Sequence, residues 1–430
     1  MSGKKILLLV LVLTLGKLVC AAPRDTLSVM VYNLLFYGHY TSFCTPVNNN
    51  TDDKDQYLKT IIDHTLPDIL AVNEMGPDPA LAGRILDNVM NTGGRTAYSH
   101  ATYTNTANSG LVNMLFFNTE KVGLHDEAVV ASLLRDINLY SLYYNDPQLA
   151  HGADTIFMHM MVAHLKAGSS SADQQLRLQE TQSVMNYIQQ NDLTGNVFFM
   201  GDFNMNSSFD QAYQELTYHV NESIRFHDPI NKPGVWYNNP DMAFYHTQST
   251  RTGDHECFVT GGLDDRYDQI LATLDVMEGF RGLFYIEDTY KTVGQDGYRF
   301  NQSLINPPNH SEPPDVINAL YNMSDHLPVK LRLGVTDIIS ELPEAPVAAP
   351  NIRPIIVPGQ RMELMVEDYT GDITIEVVTV QGTSMLYKTI GINSLPYQIQ
   401  VDISAFPAGV YFARIHAGGG TPVIKKFIVP

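Results

Sequence analysis

The sequence predicts an α/β or α+β sandwich from about Leu27 to Gly334, followed by a small all-β sandwich at the C-terminus. Three observations carry this prediction. Apolar runs rich in Val, Ile, Phe and Tyr alternate with an amphipathic helical stretch through the first part of the chain. Prolines then recur among alanines and branched residues (Pro343, Pro346, Pro350, Pro354, Pro358), which reads as a stiff linker over residues 336–358. From Arg361 to Pro430 only strand patterns remain, punctuated by Gly371, Gly382, Gly409 and Gly418–Gly420.

Taken in order, the elements begin with a segment that is not part of the fold. Lys4 and Lys5 precede an apolar run from Ile6 to Leu15, and small residues follow. This reads as a secretory signal peptide over residues 1–21, with Val19-Cys20-Ala21 as the cleavage tripeptide. A lipidated Cys20 is the alternative, disfavoured by bulky Val19 just before it. No other stretch is apolar for long enough to span a bilayer. Strands are expected at Leu27–Leu34, Ile69–Asn73, Leu111–Phe117, Ile156–Leu165, Val197–Met200, Gln269–Leu274 and Val329–Leu333. A helix is expected at Ala172–Gln190, with Leu178, Thr181, Met185 and Ile188 on one face and Ser171 with Gln174 as its capping box. The tail should hold strands at Met362–Val366, Ile373–Val380, Tyr397–Ile403, Val410–Ile415 and Val423–Val429.

Composition bounds the function. Hydrophobic residues at 44% and charged residues at 17% exclude global disorder. The formal charge is -19, and removing the leader takes away three lysines and no acid, giving -22. Residues 22–335 hold 37 acids against 18 bases, so the excess belongs to the larger domain. Such acidity argues against loose electrostatic capture of nucleic acid. A phosphate substrate remains open, because a bound divalent cation reverses the local sign. Two cysteines remain after the leader, Cys44 and Cys257; an even pair in an exported chain suggests a disulfide, and two unrelated thiols are the alternative.

Polar residues cluster at the ends of the predicted strands. The strings are Val31-Tyr32-Asn33, Val72-Asn73-Glu74, Val162-Ala163-His164, Gly201-Asp202-Phe203-Asn204 and Ser324-Asp325-His326, while Arg266-Tyr267-Asp268 opens a further strand. Carboxylates and imidazoles are costly to bury unpaired, so a set at strand ends points to a shared metal or substrate. Singly each string is weak: Glu74 alone would read as a surface carboxylate, and His164 as a satisfied core histidine.

Together and in this order the strings resemble the endonuclease/exonuclease/phosphatase family over roughly residues 26–335, most sharply at Gly201–Asn204 and Ser324-Asp325-His326-Leu327-Pro328. The resemblance implies a four-layer α/β/β/α sandwich and a phosphoester hydrolase. It implies Glu74 as the main ligand of Mg²⁺ (or Mn²⁺, with Ca²⁺ possible), Asn33 beside it, and Asp325 in the same cluster. It further implies His326 as general base or phosphate-polarising group held by Asp268, Asp202 and Asn204 positioning water and phosphate, and His164 binding phosphate or protonating the leaving group. The family usually carries Gln where this chain has Asn73, which puts one contact behind the metal ligand in doubt. Gly262-Leu263-Asp264-Asp265-Arg266 matches secreted bacterial members; Arg266 either orders this loop or makes a surface ion pair.

The implied substrate is a phosphodiester, nucleic acid before lipid or a small molecule such as an inositol phosphate. A nuclease needs basic and aromatic loops, offered by Tyr98–Tyr103 and Lys291–Arg299; a lipid phosphodiesterase needs an apolar tip, offered by Val235-Trp236-Tyr237. A non-catalytic surface adhesin is the reading from another class, opposed by the filled site positions. Residues 351–430 resemble the C-terminal sorting domain of type IX secretion cargo. The match rests on Val401-Asp402-Ile403-Ser404, Pro407-Ala408-Gly409-Val410-Tyr411 and Lys425-Lys426-Phe427-Ile428-Val429. That implies the type IX machinery as partner and export through the periplasm of a Gram-negative bacterium, to the surface or beyond. A generic accessory sandwich is the alternative. The expected boundaries are 22–335 for the catalytic domain and 359–430 for the sorting domain.

Overall fold

A computed structural model describes residues 23–253, 256–337, 352–357, 361–366, 369–379, 384–417 and 423–429. The leader at 1–21 and most of the expected linker lie outside the described residues. The chain divides into two units at Ile338. The strands of the first are β1 (Asp25–Tyr37), β2 (Ile69–Met75), β3 (Tyr98–His100), β4 (Val112–Asn118), β5 (Val122–Ser132), β6 (Asp136–Tyr144) and β7 (Phe157–His164). They continue with β8 (Val197–Asp202), β9 (Phe226–His227), β10 (Asp268–Thr273), β11 (Leu283–Tyr285), β12 (Lys291–Thr292) and β13 (Val329–Val335). Its α-helices are α1 (Thr51–Thr65), α2 (Ala80–Ile85), α3 (Ser171–Gln190), α4 (Gln211–Thr217), α5 (Leu274–Glu278) and α6 (Pro314–Met323).

One sheet has the order β11-β13-β1-β2-β4-β3, with β12 also on β13; the other has the order β5-β6-β7-β8-β10-β9. Alternation along β8 shows how they layer. Phe198 and Met200 join the core shared with β1 and β2, whereas Val197 and Phe199 join the core under α3 and α4. Leu58, Ile61 and Ile62 of α1 and Val316 and Leu320 of α6 cover the first sheet. This is the expected α/β/β/α order of layers.

Strand direction gathers the site. β1 and β2 are parallel, as are β7 and β8, so Asn33 lies level with Asn73, and His164 with Asp202. β10 and β13 run antiparallel to their neighbours, so their first residues lie at that same edge: Asp268 faces Asp202, and Val329 faces Val31. Asn73 joins the two sheets, donating from Nδ2 to Asn113 Oδ1 (2.7 Å) and the Ala163 carbonyl (3.2 Å) while its Oδ1 accepts from the Asp202 amide (3.0 Å). Asn73 thus reaches the backbone beside the Asp202 carboxylate, though its side chain is one methylene shorter than the Gln of the family pattern. Gly201 is required there: at its φ of 143°, an added Cβ would lie 1.8 Å from the Ala163 carbonyl oxygen.

The α3 cap differs from expectation by one residue. Ser170, not Ser171, is the N-cap, and its reciprocal partner is Asp173 rather than Gln174. Asp, like Glu, returns a carboxylate to the cap amide, and Gln174 sits one position too far along. Arg266 is no surface ion pair either. It is fully buried, makes a two-pronged pair with Asp228 (2.8 and 2.9 Å), and lies over the Trp236 ring. It thus anchors the chain two residues before Asp268. Cys44 and Cys257 form a disulfide across 213 positions of sequence, worth about 4–5 kcal/mol by chain entropy.

The second unit has two antiparallel sheets. They are built from β14 (Ile352–Val357), β15 (Arg361–Val366), β16 (Gly371–Thr379), β17 (Ser384–Ile392), β18 (Tyr397–Asp402), β19 (Gly409–Ala417) and β20 (Val423–Val429). The orders are β14-β15-β18 and β17-β16-β19-β20, with Leu364, Ile375, Val401 and Ile415 in the core between them. β14 occupies part of the stretch read as linker; it is an edge strand, where the N–H that Pro354 lacks matters least.

Glu180 of α3 is buried, accepting at Oε2 from the Lys166 amide (2.9 Å), and burial pushes its carboxyl up to about 7. The unfolded carboxyl, near 4.5, ionises first. The unfolded chain therefore binds fewer protons between these values, and stability falls as pH rises from about 4.5 to about 7. Glu180→Gln keeps an acceptor for Lys166 and removes the charge. Thermal melting should show it stabilised by about 1–3 kcal/mol at pH 8 and unchanged at pH 4; equal melting at both values would contradict this.

Candidate metal and catalytic centre

Asn33, Asn73, Glu74, His164, Asp202, Asp268, Ser324, Asp325 and His326 are buried at this edge, and Asn204 and Tyr267 are half-buried. The Asn33 amide is central: its Nδ2 donates to Glu74 Oε1 and to Asp202 Oδ2, both at 3.0 Å, and lies 3.5 Å from His326 Nε2. Its own oxygen accepts from the Leu35 amide (2.9 Å), which fixes the side chain's direction. Glu74 takes a second hydrogen bond from the Phe36 amide at 3.2 Å. Glu74 and Asn204 both have left-handed backbones, with φ of 58° and 52°. Such conformations are unfavourable outside Gly and concentrate at working sites.

Glu74, His164 and Asp202 bring ligand atoms within 4.8 Å of one another. His164 Nε2 is 3.5 Å from Asp202 Oδ2 and 3.8 Å from Glu74 Oε1, and its buried Nδ1 has no partner among the described residues. Burial, followed by Arg135 and His326, drives the His164 pKa well below the usual histidine value, so the ring is neutral and keeps a lone pair. Burial, then Asp325, raises Glu74, with Asn33 opposing. Burial pushes Asp202 up to about 7, against the pull of His326. Two carboxylates that resist ionising in isolation, beside a neutral imidazole, form a donor set that could hold a divalent cation.

Asp325 stands apart from that trio. Its Oδ2 accepts from the Val259 amide (2.9 Å) and Gln248 Nε2 (3.3 Å), and its buried Oδ1 has no partner among the described residues. His326 Nδ1 is 2.7 Å from Asp268 Oδ2, and its Nε2 is 3.7 Å from Asp202 Oδ2. Burial opposes charge on this ring, but Asp268 and Asp202 outweigh it and raise the pKa well above the usual value. Gln248 Nε2 lies 2.7 Å from His326 Nε2. A neutral ring accepts that N–H, whereas an imidazolium requires the amide to turn its oxygen inward. Asn204 lies at the rim: its amide N–H donates to Asp202 Oδ1 (3.1 Å) and its Nδ2 to the Leu165 carbonyl (3.2 Å).

Sequence reasoning missed Gln248, Arg135 and Lys54. Gln248 lies in a buried polar run, His246 to Thr250, with no periodicity to mark it. Arg135 donates to the His164 carbonyl (3.1 Å) from the turn between β5 and β6. The loops expected to supply cations and aromatics are largely engaged. Lys291 pairs with Glu312, Arg299 pairs with Asp296 and is buried, and the Tyr98 and Tyr103 hydroxyls donate to the carbonyls of Pro67 and Pro77. At the apolar tip Trp236 is fully buried, while Val235 and Tyr237 are exposed.

Solved structures similar to the chain include D. rerio TDP2 complexed with a single-strand DNA product, at 13% identity and TM-score 0.46, covering 72% of this chain and 100% of that one. An endonuclease/exonuclease/phosphatase family protein from Bacteroides thetaiotaomicron has 14% identity and TM-score 0.44, covering 73% and 96%. The human Nocturnin catalytic domain has the same identity, TM-score and coverage. No curated protein matches the chain. Among the described residues no helix is long and apolar enough to cross a membrane. Residues 361–430 match the family described as the secretion system C-terminal sorting domain.

Proposed function

We propose that the chain is an exported, divalent-cation-dependent phosphodiester hydrolase, with nucleic acid as the favoured substrate. The observation that carries this reading is the convergence of Asn33, Glu74, His164, Asp202, Asp268, Asp325 and His326 at one sandwich edge, with Asn204 at its rim. Oδ1 of Asp268 and of Asp325 and Nδ1 of His164, without partners among the described residues, mark a site with unspent polar capacity. Glu74, Asp202 and His164 would hold the cation, with Asn33 keeping the carboxylates apart. Such an ion, when bound, relieves the negative charge of a phosphate ester.

The remaining roles follow from charge. Asp268 and Asp202 favour the charged form of His326, whose Nε2 would reach a phosphate oxygen in place of its Gln248 contact, and this favours the polarising role over that of base. Asp202, fixed by the Asn33 side chain and the Asn204 amide beside the cation, would position the attacking water. Asn204 keeps its side-chain oxygen for that water or for substrate. The acidic domain gives nucleic acid no broad electrostatic grip, so recognition must concentrate at this edge. A lipid phosphodiester is the second reading, favoured by the exposed Val235, Tyr237 and Phe209 on adjoining loops joined at Ser207 and Val235. The C-terminal unit is read as the address for type IX secretion. A signal peptide would carry the chain across the inner membrane and the sorting domain across the outer one.

His326→Ala and Asp202→Ala should each lower turnover at least ~10²-fold. EDTA should abolish activity, with Mg²⁺ or Mn²⁺ restoring it. Plasmid DNA, RNA, sphingomyelin and inositol phosphates, assayed side by side, identify the substrate; full turnover by His326→Ala on the best of them would sink the assignment. Deleting residues 345–430 should leave an active enzyme in the periplasm. Undiminished appearance of the shortened protein outside the cell would refute the sorting role.

A further inference from the structure

A lysine lies fully buried behind the site, with no part in the chemistry above. Lys54 stands on the first turn of α1, where Asn50 caps the helix by accepting from the amides of Asp52 and Asp53. Its ammonium donates to the Leu34 carbonyl at 2.7 Å and the Leu35 carbonyl at 2.5 Å. These carbonyls belong to a left-handed turn: Leu35 and Phe36 have φ of 44° and 51°, which L side chains rarely adopt. The β1–β2 ladder cannot hold this turn, because its register breaks between Asn33 and Tyr37. The amides of the same turn grip the site, Leu35 through Asn33 Oδ1 (2.9 Å) and Phe36 through Glu74 Oε2 (3.2 Å). Asn49 assists from Nδ2, donating to the carbonyls of Leu35 (3.3 Å) and Phe36 (3.2 Å). Burial disfavours the ammonium, and Asp325 and Glu74 act against that penalty.

We infer that Lys54 is a positioning residue for the cation centre: its ammonium holds the Leu34–Phe36 turn that sets the Asn33 amide and the Glu74 carboxylate. This rests on reading the Glu74 group as a divalent-cation site. The test is calorimetric titration of Mn²⁺ into the full chain and its Lys54→Met variant, with thermal melting of each in the absence of cation. Mn²⁺ affinity should fall ~10-fold or more, the scale for losing a group that orients a ligand. Lys54→Arg, which returns a cationic donor, should recover part of it. A lysine that merely stabilises the fold would lower the melting temperature and leave the Mn²⁺ affinity unchanged, and that result overturns the inference. Should Lys54→Met not fold, Lys54→Gln keeps an N–H donor without the charge and takes its place. Absence of Mn²⁺ binding by the unaltered protein removes both the cation reading and the inference; normal binding with an indifferent Lys54→Met removes the inference alone.

Discussion

Four carboxylates, those of Glu74, Asp202, Asp268 and Asp325, lie buried at one edge of the sandwich, and the surrounding structure answers their mutual repulsion. Asn33 Nδ2 stands between two of them, and backbone amides of Phe36, Asn204 and Val259 reach three. His326 takes up Asp268, and Lys54 Nζ donates to the carbonyls of the turn whose amides reach Asn33 and Glu74. A buried anion is tolerated to the extent that donors and opposite charges meet it. Two oxygens, Oδ1 of Asp268 and of Asp325, meet no hydrogen-bond partner among the described residues.

Holding these groups together requires the sheets to stay in register at their ends, and polar side chains do this as much as the apolar core does. Asn73 and Asn113 tie β2 and β4 to β7 and β8 through buried hydrogen bonds, with Asn113 Nδ2 also donating to the Asp136 carbonyl at 2.8 Å. Such directional bonds specify one alignment, whereas apolar contact between sheets would allow sliding. Gly201 then lets the strand carrying Asp202 come against Ala163. The left-handed backbones at Glu74 and Asn204, beside Asp202, show that local conformational preference was given up where the functional side chains are aimed.

The long buried strands were legible because their patterns are dense: β1, β2, β7, β8, β10 and β13 each fall within or close to an apolar run, and so do the site residues that end them. β5 and β6 lack a long continuous apolar run. β5 is half exposed and its pairing with β6 is broken by two register shifts, so no clean alternation survives in the sequence. In the tail, β17 escaped notice because most of its residues face solvent. At the site, Asn33, Glu74 and Asp202 could be read from strand ends. Lys54 could not, since a lysine in the first turn of an acidic, polar helix start looks like a solvated face. Its burial follows from the Leu34–Phe36 turn, which no local pattern announces.

The disulfide connects this chemistry to the compartment in which the protein would work. Cys44 follows the turn that orients Asn33 and Glu74, and Cys257 stands two residues before Val259, whose amide holds Asp325. The bridge packs with Leu35 and Phe258, with Phe36 against them, in a small apolar cluster of its own. It therefore ties together the two loops whose amides reach Glu74 and Asp325. Loops of this kind lose the most on being ordered, and a long-range cross-link reduces that loss by restricting the unfolded chain. Such a bond persists where thiols are oxidised, outside the cytosol. A secretion sorting domain on the same chain fits that requirement: the loops on which the proposed chemistry depends are fastened by a bond suited to an exported protein.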